Sequence, residues 1–225
     1  MKARSNESEP PGAASYPPRP ANATPAQLQE YERELWNHFL TDETWRSTRF
    51  NAQPNTLLVE SVRGRPPGKA LDVNMGEGRN ALYLAGLGWA VTGIDIADQA
   101  LAFAQQRARQ LGRPLTTIQH DANTYDWGCG QWDLIVLCYA DESTHVPQVQ
   151  AALRPGGLLV FENFHTDVNQ ARGNRPGQEV GFATDELRSC YAAAGFTIVR
   201  YEEPIGVADF SREAHRLVQL VAQKQ

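Results

Sequence analysis

The chain has 225 residues, which is enough for one α/β domain with a smaller attachment but hardly for two large domains. Its 21 Lys and Arg residues against 26 Asp and Glu residues give a net charge of −5, so the composition does not favour nucleic acid as a partner. The three cysteines lack CxxC spacing, which argues against a disulfide framework and a zinc ribbon. With no apolar run of about 20 residues and no signal-peptide core, the sequence predicts a cytoplasmic protein without a membrane partner.

The first part of the chain is predicted to be a tail followed by a helical cap. Residues 1–24 are rich in proline and poor in apolar side chains, so we expect a disordered tail. Thr24 is a suitable helix cap, and apolar residues recur after it at spacings of three or four. Two further helical segments are predicted at 41–50 and 55–62. Residues 25–66 are therefore predicted to form a cap that packs on the following domain or closes over its pocket.

From residue 67 onward, strand and helix patterns alternate. Strands are predicted at 69–73, 90–95, 115–119, 134–138, 158–162, 196–201 and 216–222. Helices are predicted at 77–87 and 98–111, after Thr144 or His145, and from a cap at Thr184 through Ala194. The alternation predicts an α/β fold over residues 67–225: a doubly wound, seven-stranded, mostly parallel sheet with helices on both faces.

The turn after the first predicted strand carries the most information. Residues 76–81 are Gly-Glu-Gly-Arg-Asn-Ala, and Asp95 ends the second strand. Backbone N–H groups at such a turn face a nucleoside ligand, while the later carboxylate accepts ribose hydroxyls. The turn also satisfies the loose G-x-G-x-x-G/A pattern, so an NAD-dependent oxidoreductase is an alternative. Asp72 would repel a pyrophosphate but suits a cofactor with a cationic amino group.

These motifs together resemble the class I S-adenosylmethionine (SAM)-dependent methyltransferases over residues 68–162. The resemblance is carried by the loop from Asp72 to Gly78, Asp95, His120-Asp121-Ala122, Trp132-Asp133-Leu134-Ile135 and Leu153-Arg154-Pro155-Gly156-Gly157. The run 76–80 is similar to the small-molecule branch that includes tellurite-resistance and thiol methyltransferases, and the run 182–187 resembles that branch less specifically. Asn74 stands where the family has a third glycine. Because Asn readily adopts positive φ, we expect the turn to be kept.

The resemblance implies a SAM site, with S-adenosylhomocysteine as the product. The implied cofactor residues are Asp72, Asn74, Gly76, Gly78, Asn80, Asp95, Ile96, Asp121, Ala122 and Cys138. Asp95 would accept the ribose hydroxyls, Ile96 would cover the adenine, and Asp121 and Ala122 would bind its edge. A helix cap at Asp95 and an ordinary turn at Asp121 are the alternatives. Arg79 is expected either to contact the cofactor or to stabilise the loop.

The acceptor side is expected at the ends of the fourth and fifth strands. Residues 138–141 lack the Asn/Asp-Pro-Pro-aromatic motif, which argues against methylation of nucleic-acid bases or glutamine. His165 and His145 are candidate general bases, with Tyr139 or Asp141 to orient them, and ordinary structural histidines are the alternative. The acidic and histidine residues of this region match no ligand spacing, so no metal is predicted.

The sequence thus predicts methyl transfer from SAM to a small-molecule acceptor at sulfur, oxygen or nitrogen. Alignment and desolvation would supply most of the rate, because methyl transfer is an in-line displacement. A SAM-binding module without turnover is an alternative of another class. The sequence makes no prediction of the oligomeric state.

Overall fold

The computed structural model describes residues 20, 22–49, 51–173, 179–209 and 213–225. The predicted disordered tail lies almost entirely outside the described residues. A cap of three helices follows: α1 (Pro25–Thr41), α2 (Glu43–Arg49) and α3 (Thr56–Val62). α1 begins where the sequence predicts, since the Thr24 hydroxyl accepts a hydrogen bond from the Gln27 N–H and the Gln27 side chain accepts one from the Thr24 N–H.

The rest of the chain alternates strands and helices as predicted. The strands are β1 (Lys69–Val73), β2 (Ala90–Asp95), β3 (Thr116–Gln119), β4 (Trp132–Cys138), β5 (Leu153–Phe164), β6 (Thr197–Glu202), β7 (Ile205–Val207) and β8 (Ala214–Gln223). The helices are α4 (Arg79–Gly86), α5 (Asp98–Leu111), α6 (Val146–Ala152), α7 (Val168–Ala171) and α8 (Glu186–Ala193). Among the described residues, none of the helices could span a bilayer.

One mixed sheet organises these elements. Its strand order is β3-β2-β1-β4-β5-β8-β6, with the short β7 paired to β8 as an additional strand. β1 to β5 are parallel, and β8 is antiparallel to both β5 and β6. The predicted doubly wound, mostly parallel fold is confirmed. The strand order reverses between β1 and β4, so their carboxyl ends frame the crevice in which such sheets bind ligands.

The sheet is buried on both faces, because helices cover each side. The side chains at 134–137 in β4 are fully buried, as expected for a central parallel strand. One face packs against α3, α4 and α5, and the other packs against α6 and α8. The cap therefore adds to the helices on one face of the sheet, and it reaches the crevice through α2 and the connection from α2 to α3.

Two element boundaries differ from the sequence prediction for identifiable reasons. α8 begins at Glu186 with Asp185 as its N-cap, rather than at a cap on Thr184. The Thr184 hydroxyl is instead 3.0 Å from His165 Nε2 and accepts a hydrogen bond from Arg216. β5 begins at Leu153, five residues before its predicted start, because Leu153 pairs with Trp132, the first residue of β4.

Candidate functional site

The glycine turn between β1 and α4 uses backbone conformations that favour glycine. Gly76 and Gly78 have φ values of 56° and 75°. A Cβ atom on Gly78 would lie 3.0 Å from the Ala104 Cβ, so Gly78 lets α4 and α5 pack closely. A Cβ on Gly76 would meet nothing within 4 Å, because this residue faces open space. The turn therefore leaves room for a ligand against Gly76.

Asn74 has the left-handed conformation expected from its residue type. Its φ is 51°, and its side-chain amide donates a 2.8 Å hydrogen bond to the carbonyl oxygen of Ala140. The side chain thereby joins the turn after β1 to the segment after β4. Asn74 keeps the turn that a glycine would form and adds a contact across the crevice.

Asp95 holds the turn in place from the end of β2. Its Oδ2 accepts a hydrogen bond from the Gly76 N–H and its Oδ1 accepts one from the Ala97 N–H, each at 2.8 Å. Burial raises the pKa of this carboxyl, and the backbone N–H groups partly oppose that shift. Each carboxylate oxygen has a second lone pair, so Asp95 can still accept hydroxyl groups.

A cavity of about 350 Å³ lies between the glycine turn and the cap. The cap lines it with Glu43, Arg46, Ser47, Asn51 and Ala52; the domain lines it with Asp72, Asn74, Met75, Gly76, Glu77, Arg79, Asn80, Arg107 and Cys138. Five of the ten predicted cofactor residues thus share one cavity. The other five, which are Gly78, Asp95, Ile96, Asp121 and Ala122, lie outside its lining.

Asp72 places an unpartnered acceptor in this cavity. The side chain is buried, and no hydrogen-bond donor lies within reach of its Oδ2. Burial raises the pKa of Asp72 to about 7, although the nearby Arg79 guanidinium lowers it in part. A buried carboxylate oxygen without a donor is costly, so the cavity is suited to a ligand that carries a hydrogen-bond donor or a positive charge.

Known proteins resemble the part of the chain that contains the glycine turn. The family model of a methyltransferase domain matches residues 70–157, from β1 into β5. YqeM of Bacillus subtilis (strain 168), which is named as a methyltransferase, is 33% identical over 104 residues. Over residues 70–157 the chain is similar to a methyltransferase domain. This match favours the methyltransferase interpretation of the glycine turn over the NAD-dependent alternative.

Solved structures share the fold of the methyltransferase domain. TehB from Haemophilus influenzae has a TM-score of 0.63 at 22% identity, covering 75% of this chain and 61% of TehB. The magnesium protoporphyrin IX methyltransferase ChlM from Synechocystis PCC 6803, crystallised with S-adenosylhomocysteine, has a TM-score of 0.63 at 19% identity and covers 88% of this chain and 99% of ChlM. The segment matched to YqeM is 42% of this chain and 42% of that protein.

The cap is fastened to the methyltransferase domain by charged side chains. Arg46 of α2 forms a 2.8 Å ion pair with Glu77 of the glycine turn, and its guanidinium lies 3.9 Å from the centre of the Phe103 ring. Arg33 and Asn37 of α1 both donate to Asp98 at the start of α5. The sequence predicts a cap that packs on the domain or closes over its pocket, but it does not identify these residues, because no spacing links them to the turn.

A buried polar network that the sequence does not predict lies behind the cavity. Glu162 of β5 accepts hydrogen bonds from the Asn55 amide at 2.6 Å, the Tyr139 hydroxyl at 2.9 Å and the Gln219 amide at 2.6 Å. Asn55 also donates to Asp209 at 3.0 Å. The network joins the start of α3 to β5, to β8 and to the residue that follows β4. An acidic residue that ends the apolar run of β5 is the sequence signal that could have revealed it.

Replacing Asn55 by alanine should destabilise the protein by about 2–4 kcal/mol. The change removes the cap of α3, where Asn55 Oδ1 accepts from the Leu58 N–H, and it removes a donor from two buried carboxylates. Urea unfolding measures the effect. T24A, which removes the exposed cap of α1, is the matched control and should cost about 1 kcal/mol. An N55A effect no larger than that of T24A would show that the network does not stabilise the fold.

The structure places the three predicted catalytic residues outside the cavity lining. The Nε2 of His145 is 2.8 Å from Asp141 Oδ1, and its buried Nδ1 has no hydrogen-bond partner. His165 is buried with its Nε2 near Thr184, and its Nδ1 accepts a 3.1 Å hydrogen bond from the Asp167 N–H. Burial and the adjacent Glu162 raise the pKa of Tyr139 well above its usual value.

Two predicted cofactor residues in the cavity also have structural partners. The side-chain Oδ1 of Asn80 accepts a 2.9 Å hydrogen bond from the Asn55 backbone N–H. Cys138 ends β4, and burial raises the pKa of its thiol well above its usual value. Outside the cavity, Asp121 Oδ1 accepts from the Asn123 N–H at 2.9 Å, as in an ordinary turn. Within the described residues, no three His, Cys, Asp or Glu side chains form a candidate metal site.

Proposed function

We propose that this chain transfers a methyl group from SAM to a small-molecule acceptor at sulfur, oxygen or nitrogen. One observation carries the proposal: the buried Asp72, whose Oδ2 has no hydrogen-bond donor, lines the cavity beside the glycine turn. This acceptor suits a cationic ligand, whereas it would repel the pyrophosphate of a dinucleotide. The family match is to the domain type that uses SAM.

We assign the cofactor residues as the resemblance implies. Asp95 would accept the ribose hydroxyls through the lone pairs that Gly76 and Ala97 leave free. Ile96 would cover the adenine, and Asp121 with the Ala122 N–H would bind its edge. The cavity beside Gly76 would hold the amino-acid part of SAM, with its ammonium group toward Asp72.

The residues of the chain would contribute mainly alignment and the exclusion of water. When bound, SAM supplies a methyl group on a positively charged sulfur. The cap residues along the cavity shield this position from solvent, which favours an in-line displacement. The described lining of the cavity contains no histidine, and His145 and His165 bond to protein neighbours. This favours an acceptor that arrives deprotonated, such as a thiolate, while Tyr139 and the two histidines remain the candidate bases.

The organisation of the chain is part of the same proposal. Residues 25–66 would act as the cap and residues 67–225 as the SAM-binding domain, within the cytoplasm. The net charge of −5 supports a small-molecule acceptor rather than nucleic acid.

Isothermal titration with SAM, followed by an assay for S-adenosylhomocysteine across thiols, oxyanions and small amines, tests the proposal. We expect binding, and product formation with at least one acceptor class. Binding without product from any acceptor would identify a SAM-binding module instead. No binding at millimolar SAM would contradict the proposal, and binding of NADH in its place would restore the oxidoreductase alternative. R109Q, a change on the exposed side of α5, should match the unmodified protein.

A further inference from the structure

Arg79 is a buried cation on the wall of the cavity. It lies in the first turn of α4, its side chain is 13% exposed, and it belongs to the cavity lining. One guanidinium nitrogen donates to Asp209, which lies after β7, and another is 3.4 Å from the Gln53 carbonyl oxygen. The side chain therefore reaches from the glycine turn toward the far side of the crevice.

The guanidinium has more donors than these partners use. Arginine carries five N–H groups, and the described residues supply it with two acceptors, Asp209 and the Gln53 carbonyl. Glu162 is engaged by Asn55, Tyr139 and Gln219 instead. Because the Arg79 side chain is partly exposed and belongs to the cavity lining, the N–H groups that its bonds to Asp209 and Gln53 leave unused can serve a ligand there.

Asp209 is a replaceable partner for this cation. It belongs to the connection between β7 and β8 rather than to a strand of the sheet. It also has other contacts, since its carboxylate accepts from the Asn55 amide at 3.0 Å and its carbonyl accepts from the Asn51 N–H at 3.2 Å. Asp209 could therefore keep its place in the structure while Arg79 turns to a ligand.

We propose that Arg79 binds a carboxylate of a ligand in this cavity, and that Asp209 takes the place of that carboxylate when no ligand is bound. A planar guanidinium matches a carboxylate through two parallel hydrogen bonds. The nearby acidic residues Asp72, Glu162 and Asp209 favour a monoanion over a phosphate dianion. The inference rests on the proposed function, which offers two sources of such a group: the methionine part of SAM, or the methyl acceptor.

Titration calorimetry with SAM and with decarboxylated SAM tests the first source. The test variant is R79M/D209N, which removes both charges so that neither is left buried alone. If the cofactor supplies the carboxylate, the unmodified protein should bind SAM about 10- to 100-fold more tightly than decarboxylated SAM, and R79M/D209N should abolish the difference. D209N alone keeps the Arg79 cation and removes the Asp209 carboxylate that competes with the ligand. The preference for SAM over decarboxylated SAM should therefore persist or increase.

Acetate and benzoate, titrated in the presence of S-adenosylhomocysteine, test the second source. If the acceptor supplies the carboxylate, these anions should bind the unmodified protein and D209N but not R79M/D209N. The inference is wrong if two results are found together. The unmodified protein, D209N and R79M/D209N would each bind SAM and decarboxylated SAM equally well, and the three proteins would not differ in their affinity for acetate or benzoate. Should the double variant fail to fold, the D209N comparison still decides, since a loss of carboxylate affinity there would contradict a competing role for Asp209. Failure of the unmodified protein to bind either nucleoside would count against the proposed function, while the acetate and benzoate titrations without nucleoside would still test Arg79.

Discussion

Replacing Asp95 by asparagine is expected to weaken the binding of S-adenosylhomocysteine by about 100-fold. Both carboxylate oxygens already accept backbone N–H groups, from Gly76 and Ala97, while keeping lone pairs for the ribose hydroxyls. Asparagine has one acceptor oxygen, so its NH₂ group would face either a backbone donor or the sugar. The charge that strengthens the hydroxyl contacts is also lost. Titration calorimetry measures the change in affinity.

A ligand without the sugar hydroxyl separates ribose recognition from a distorted turn. The unmodified protein should bind 2′-deoxy-S-adenosylhomocysteine weakly, and D95N should add little further loss with that ligand. D126N is the matched control, because the exposed Asp126 also accepts a backbone N–H, from Gly128, but lies away from the cavity. Equal losses for both ligands on D95N would show that Asp95 acts only by holding the turn.

The affinity for SAM is expected to rise as the pH increases from 6 to 8, and D72N should remove most of that rise. Burial raises the pKa of Asp72 to about 7, with Asp95 adding to the shift and Arg79 opposing it. Below that pKa the carboxyl is protonated, so a cationic ligand loses its partner. The affinity should therefore fall by up to about tenfold for each pH unit below 7 and level off above it. A flat pH profile would contradict the proposed contact between Asp72 and the ammonium group.

The raised pKa of Asp72 has the opposite effect on stability: without ligand, the protein should become less stable as the pH rises. The folded-state pKa of Asp72 lies above its usual value of 3.8, so the folded state binds the proton more tightly than the unfolded state. The contribution of Asp72 is fully present below about pH 4 and is lost as the pH rises through about 7. The total loss should reach up to about 4 kcal/mol, of which up to about 3 kcal/mol falls between pH 5 and pH 8, and D72N should remove it. Urea unfolding of the unmodified protein and D72N at pH 5 and pH 8 measures this loss. If the free energies of unfolding of the two proteins differ by the same amount at both pH values, the prediction is wrong.

The sheet could be predicted because its signal is local. Central parallel strands are buried on both faces, and β4 therefore appears in the sequence as an uninterrupted apolar run. β7 lacks such a signal, because its three residues leave Ile205 and Val207 exposed and its pairing comes from β8. The sequence predicts α8 from a cap at Thr184, which is wrong because the Thr184 side chain bonds to distant partners, His165 and Arg216.

The candidate site, like the fold, has one part that the sequence predicts and another that it does not. The positive φ of Asn74, Gly76 and Gly78 follows from residue types in a single turn, and the sequence predicts it. The polar contacts behind the cavity join residues far apart in the chain: Arg79 and Asp209 are 130 positions apart, and Asn55 and Glu162 are 107 apart. No local spacing predicts such pairs, because they arise only when the sheet brings β5 and β8 beside the crevice.

A crystal structure with S-adenosylhomocysteine tests the central claim most directly. We expect the ribose hydroxyls within hydrogen-bond distance of Asp95, and the amino-acid part of the ligand in the cavity beneath the cap with its amino group toward Asp72. A ligand bound elsewhere on the sheet, or a ribose that does not contact Asp95, would contradict the account.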